Sequence, residues 1–231
     1  MTLSKLARSI PRLAETVGRV GDVGDGPAVL HVVGLGDSVA AGAGVERGED
    51  TMAGRLAHRL AGAGKPVSWA IHARGGLTAA GVSALLDRPD VTGDLAEADV
   101  VLVSVGVNDL LRLRRQARWR RDLGALLARV RSTSSGEVVL LGMPPVAAFP
   151  SLPGPVRGVL GRLAERMDDV GREVARRCDV QHLALPADLL LTDGAFAADG
   201  FHPSSRSHDR LAEVVASRLP PLTNGAVDVV R

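Results

Sequence analysis

The sequence predicts an α/β protein, a three-layer αβα sandwich built on a five-stranded parallel sheet. Three observations carry that expectation. Five short apolar runs recur along the chain, segments of helical period separate them, and each run is apolar at successive rather than alternate positions. A strand buried on both faces needs apolar side chains on both, and helices packed against each face provide the cover.

The expected strands are Val29–Leu35, Val67–Ala73, Val100–Val105, Val138–Leu141 and Val180–Leu185. The second opens just after Pro66, where a strand edge tolerates a missing donor. Helices are expected at Thr51–Ala61, Thr78–Leu86, Trp119–Arg131, Val156–Arg177 and Asp209–Leu219. Ahead of the sheet, Leu3, Leu6, Ile10, Leu13, Val17 and Val20 recur at spacings of three and four, an amphipathic helical stripe with Pro11 as a kink or break. Docking on the domain is its ordinary use, and weak contact with a membrane surface or a partner through residues 1–20 is the alternative. Gly21–Pro27, rich in Gly and Asp, reads as a linker. The chain thus divides into a helical segment with linker (1–27), one folded domain (28–222) and a short tail (223–231). Nothing in it bears on oligomeric state.

Composition narrows the function. The chain has 231 residues, 45% of them hydrophobic and 23% charged, which fits one folded domain. Of its 28 basic residues all but Lys5 and Lys65 are Arg, yet 26 acidic residues nearly balance them. A nucleic-acid binder would not be balanced in this way. The cluster Arg112, Arg114, Arg115, Arg118, Arg120 and Arg121 points all round a helix axis and forms no single face. Aromatic residues are confined to Trp69, Trp119, Phe149, Phe196 and Phe201. The core must therefore be Leu, Val and Ala, and stacking platforms for bases or sugars are disfavoured. The lone Cys178 excludes an internal disulfide and a cysteine-rich zinc site.

The longest uncharged stretch, Val138–Val156, holds five prolines and cannot form a spanning helix. Lys5, Arg8 and Arg12 interrupt the N-terminus, so no export signal is visible and a cytoplasmic location is expected.

In doubly wound sheets the ligand crevice lies beyond the carboxyl ends of the strands. Gly34-Leu35-Gly36-Asp37-Ser38-Val39 follows the first expected strand, and Gly75-Gly76-Leu77-Thr78 the second. Gly106-Val107-Asn108-Asp109 follows the third, and Asp199-Gly200-Phe201-His202-Pro203 precedes the last helix.

These four blocks resemble, in order and spacing, those of the SGNH hydrolases, the GDSL esterase/lipase family. Val39 stands where Leu or Ile is common in the serine block. The resemblance frames Val29 to Leu219 and implies a flavodoxin-like SGNH fold, hydrolysis of a small-molecule acyl ester, and no metal or organic cofactor. It implies Ser38 as nucleophile, His202 as base, Asp199 as the group orienting that base, and an oxyanion hole of Ser38 N–H, Gly76 N–H and the Asn108 amide. It does not separate lipases, thioesterases and carbohydrate acetyl-esterases.

The chemistry stands on its own reasoning. Ester cleavage needs a nucleophile, a base to deprotonate it and donors for the oxyanion. Ser38 is expected between a strand and a helix, with its hydroxyl exposed in the crevice. Asp199, three residues before His202, can meet one ring nitrogen and leave the other for Ser38. Glycine at 76 lets a substrate approach backbone, and Asn108 donates without charge. Taken singly, each block has a plainer reading: Ser38 or Asp37 as a helix cap, Gly75-Gly76 as a turn, Asn108-Asp109 as a helix start. Asp109 would cap the next segment or orient its loop. Among the other histidines, His208 is expected as a solvated or capping residue at the last helix, while His58 and His182 have no acid in a comparable turn.

Two other enzyme readings fail on residues. A dinucleotide loop would need a third glycine where Val39 stands, with no carboxylate at Asp37. An α/β-hydrolase elbow would need glycine where Ala40 stands. A silent binding protein on the same fold is the remaining rival. Candidates for substrate contact are Asp37, the loop residues Val146, Phe149 and Leu152 as an acyl slot, and Arg112 at the rim for an anionic ester.

Overall fold

The computed structural model describes residues 13–62, 64–186 and 188–222. Six strands form one sheet: β1 (Val20–Val23), β2 (Leu30–Gly36), β3 (Val67–Ala73), β4 (Val100–Ser104), β5 (Glu137–Leu141) and β6 (Gln181–Leu183). Their order is β1-β3-β2-β4-β5-β6. The last five are parallel and follow the flavodoxin-like order, with the switch point between β2 and β4. The expected three-layer sandwich is the observed fold.

The helices are α1 (Met52–Ala61), α2 (Ala79–Ser83), α3 (Pro89–Glu97), α4 (Val107–Leu111), α5 (Gln116–Thr133), α6 (Gly154–Arg177) and α7 (Ser205–Ala216). Side-chain caps start three of them: Thr51 accepts from Gly54 N–H, Thr78 from Gly81 N–H and Ser204 from Ser207 N–H. All five side chains of β4, the middle strand, are buried. Each buried Val or Leu contributes about 1.5–3 kcal/mol relative to exposure. Trp119 is buried too, and its indole N–H donates to Met167 O (3.0 Å), tying α5 to α6. Among the described residues no helix is long and apolar enough to cross a membrane.

Four expectations are corrected. The sheet has six strands, because Val20–Val23 pairs antiparallel with β3 as an edge. Val20 was expected in a helix and Gly21 onward in a linker. Val17 and Val20 are 72% and 71% exposed, so no apolar stripe is buried there. Instead the Trp69 ring lies against Gly21, where a Cβ would sit 2.7 Å from it. Residues 1–12 and 223–231 lie outside the described residues, and so do most of the expected N-terminal helix and the tail.

Second, Ser38 does not precede a helix directly: turns run to Gly44, and α1 begins only at Met52. Third, the segment Thr78–Leu86 splits into α2 and a 3₁₀ turn, Ala84–Asp87. Fourth, α3 was not foreseen; it begins at Pro89, a residue suited to a first helical turn, whereas α4 is the helix start that the plainer reading of Asn108-Asp109 offered.

Register explains how remote blocks meet. Gly36 pairs with Ala73 on one side and with Ser104 on the other. Those three residues form one row at the carboxyl edge, so Ser38, Gly76 and Asn108, a few residues beyond it, emerge together. Gly36 is required at φ +152°, where a Cβ would fall 2.0 Å from Ser104 O.

Candidate active site

Past β2 the chain makes a tight turn, with Ala41 N–H donating to Asp37 O and Ala43 N–H to Ser38 O. Ser38 stands at its head. The imidazole arrives from a hairpin-like turn between β6 and α7, closed by Ala197 N–H to His202 O (2.8 Å) and Gly200 N–H to Ala197 O (3.0 Å). His202 Nε2 lies 3.0 Å from Ser38 Oγ, and Nδ1 lies 2.6 Å from Asp199 Oδ2. A carboxylate only accepts, so Nδ1 carries the proton and Nε2 is left to accept from the Ser38 hydroxyl.

Asp199 Oδ1 also accepts from the N–H groups of Phe201 (2.9 Å) and His202 (3.0 Å), which fixes the carboxylate. Burial disfavours its charge, but the bonds from the His202 ring and these two amides outweigh burial and hold its pKa below the usual range. All three phenylalanines of the chain pack here: Phe149 meets Phe196 and Phe201 edge-on, and Phe201 meets the His202 ring at 5.1 Å. This packing limits the swing of the imidazole.

The glycine loop is held residue by residue. Arg74 N–H donates to Gly36 O, Gly75 N–H to Glu15 Oε1, Arg112 Nη2 to Gly76 O (2.9 Å), and Asn108 Nδ2 to Leu77 O (3.0 Å). Gly76 sits at φ +80°, the left-handed region that favours glycine. Among the described residues neither Ser38 N–H nor Gly76 N–H donates a bond within the protein. One Asn108 amide proton also remains, since Leu77 O takes only one.

A narrow cavity of about 60 Å³ opens at Ser38, Asn108 and His202. Its remaining wall is mainly apolar and includes Leu141, Phe149, Leu185, Leu189, Leu190 and Leu211. The expected acyl slot is therefore corrected. Phe149 lines it, but Val146 and Leu152 are buried in the core away from it, because the 3₁₀ turn Val146–Ala148 packs on α6. Three of the leucines that do line it, Leu185, Leu189 and Leu190, lie between β6 and the histidine turn, where the pair Leu189-Leu190 was the unread signal.

Asp37 reaches the cavity wall, yet it is 2% exposed and its Oδ1 accepts from Val39 N–H (3.1 Å) and Ser104 Oγ (3.0 Å). It braces the Ser38 turn rather than a substrate. Burial dominates its titration and raises its pKa to about 7 against those two bonds. Arg112 is likewise occupied by the Gly76 carbonyl and is not on the cavity wall. Asp109 does not cap its own segment: its Oδ2 accepts from Ala79 N–H (3.0 Å), linking the asparagine block to α2. Its pKa is raised by burial, partly countered by that amide.

One histidine departs from expectation. His208 is fully buried rather than solvated, with Nδ1 accepting from Met52 N–H (3.2 Å). His182, as expected, has no acid in a turn like that of His202; its partner, Asp168 at 2.9 Å from Nε2, comes from α6. Among the described residues no group of three or more His, Cys, Asp or Glu side chains is placed to hold a metal.

Comparison with known proteins shows the family. Residues 35–210 match the model of a family described as GDSL-like lipase/acylhydrolase. No curated protein matches the chain. Among solved structures, TesA is 29% identical with a TM-score of 0.65, over 84% of this chain and 99% of that one. The lipase Lip_vut3 from a goat rumen metagenome is 20% identical, TM-score 0.64, over 81% and 96%. The acetylxylan esterase Axe2 from Geobacillus stearothermophilus is 16% identical, TM-score 0.61, over 82% and 94%. The last two are likenesses of fold.

Proposed function

The chain belongs to the GDSL-like lipase/acylhydrolase family and is a serine ester hydrolase; on that premise we propose that it works by acyl transfer through Ser38 on esters with an aliphatic acyl chain. The observation that carries the reading is His202, with Nε2 at 3.0 Å from Ser38 Oγ and Nδ1 at 2.6 Å from Asp199.

His202 Nε2 takes the hydroxyl proton as Ser38 Oγ bonds to the ester carbonyl carbon. The carbonyl oxygen becomes the oxyanion, which the amides of Ser38 and Gly76 and the Asn108 side chain receive. Asp199 stabilises the imidazolium formed at this moment. Collapse of the intermediate breaks the bond to the alcohol oxygen, which leaves with the proton from Nε2. Water then gives its proton to the same nitrogen, attacks the acyl-enzyme, and releases the acid and free Ser38. The leucine-lined slot beside Ser38 supports an aliphatic acyl group. Its small volume suits a chain of modest length.

The test is hydrolysis of a p-nitrophenyl ester series, from acetate to decanoate, by the wild type and Ser38→Ala. Ser38→Ala is expected to keep its thermal unfolding transition and lose turnover by roughly 10⁴-fold or more. Turnover near the wild-type rate in that variant refutes the assignment.

A further inference from the structure

We propose that Glu15, which precedes the family-matched region, is a positioning residue that clamps the glycine loop so that Gly76 N–H stays available to the oxyanion. The proposal rests on the acyl-transfer reading of Ser38.

Two adjacent glycines give the Arg74–Leu77 loop wide backbone freedom, so its amides keep one direction only if held from outside. Glu15 Oε1 takes the Gly75 N–H at 2.5 Å. The pinch is tight: a Cβ on Gly75 would stand 3.1 Å from that oxygen and 3.7 Å from Ser38 Cβ. Gly75 is thus wedged between the clamp and the nucleophile, one peptide away from the Gly76 amide.

A bare carboxylate so near a developing oxyanion would oppose it by Coulomb repulsion. Arg19 answers that charge. Its Nη2 pairs with Glu15 Oε2 at 2.5 Å, and its Nη1 donates to Ala73 O (2.6 Å) at the end of β3, where the glycine loop begins. The same segment reaches the nucleophile turn, with Thr16 N–H donating to Ala41 O (3.2 Å). Residues 15–19 therefore tie the serine turn and the glycine loop together.

The experiment measures kcat and KM separately on p-nitrophenyl butyrate for the wild type, Glu15→Ala, Glu15→Asp and Glu15→Gln, with labelling of Ser38 by a fluorophosphonate followed by mass spectrometry. Asp keeps the charge opposite Arg19 but is one methylene too short to reach Gly75, whereas Gln keeps an acceptor oxygen at full reach. Glu15→Ala and Glu15→Asp are expected to lower kcat about 10- to 100-fold with KM within about threefold. Glu15→Gln is expected to recover most of that loss. If Glu15→Ala does not fold, Glu15→Asp decides the matter. Wild-type kcat in the shortened variants, a loss expressed in KM, or a Gln variant as impaired as Ala overturns the proposal. A wild-type protein that neither hydrolyses the ester nor is labelled at Ser38 overturns the acyl-transfer reading itself.

Discussion

Ser104 Oγ donates to Asp37 Oδ1 across 3.0 Å, joining the ends of two adjacent strands at the base of the Ser38 turn. The carboxyl is buried, and its pKa stands near 7. As pH rises above about 4 the unfolded chain loses this proton while the folded chain keeps it, so the associated stability is present at acid pH and lost by about pH 7.

Asp37→Asn removes that titration. The stability of wild type relative to the variant is expected to fall as pH rises from 4 to 7, by at most about 1.4 kcal/mol per pH unit, and then to level off. Urea unfolding at several pH values measures it. A difference that does not vary with pH would show that Asp37 does not hold a proton in the folded state.

His208 gives a slope of the opposite sign. Its Nδ1 accepts from Met52 N–H, its Nε2 is buried without a partner among the described residues, and burial first, then the neighbouring His202 and Arg55, depress its pKa to about 4. The unfolded chain takes up this proton from about pH 6.5 downward, so the stability tied to neutral His208 is present above 6.5 and lost as pH falls through 4. His208→Gln is expected to narrow its deficit against wild type over that range. A deficit constant from pH 7 to 4 would sink this account.

The acyl slot makes a prediction about substrate length. Leu190 lines it, and Leu190→Trp is expected to fill it. The ratio of kcat/KM for p-nitrophenyl octanoate over acetate is expected to drop about tenfold or more, with acetate within about threefold of wild type. An unchanged ratio places the acyl chain elsewhere.

Much of this molecule was legible in the residues. The apolar run at Val100–Ser104 announces a strand buried on both faces, because such a strand admits few polar side chains, whereas Val67–Ala73 alternates buried and half-buried positions with Ser68 and His72 on the open face. Asp199 and His202 were legible as a pair, since three residues within one turn keep an acid and an imidazole together. The edge strand β1 was not legible, because its four residues owe their conformation to pairing with β3 and to the Trp69 ring. Leu185, Leu189 and Leu190 were missed because they belong to no regular element. Val146 and Leu152 were misplaced because apolar character does not say which side of a loop meets the core.

What the sequence by itself determined is local: which segments become strands and helices, and which residue types stand at the strand ends. Only the tertiary structure decided which of those residues meet. The distance between Ser38 and His202, and the hold of Glu15 on Gly75, arise between residues 164 and 60 positions apart. No local propensity encodes such separations. They follow from strand register, which aligns Gly36, Ala73 and Ser104 in one row and so delivers their loops to a common edge.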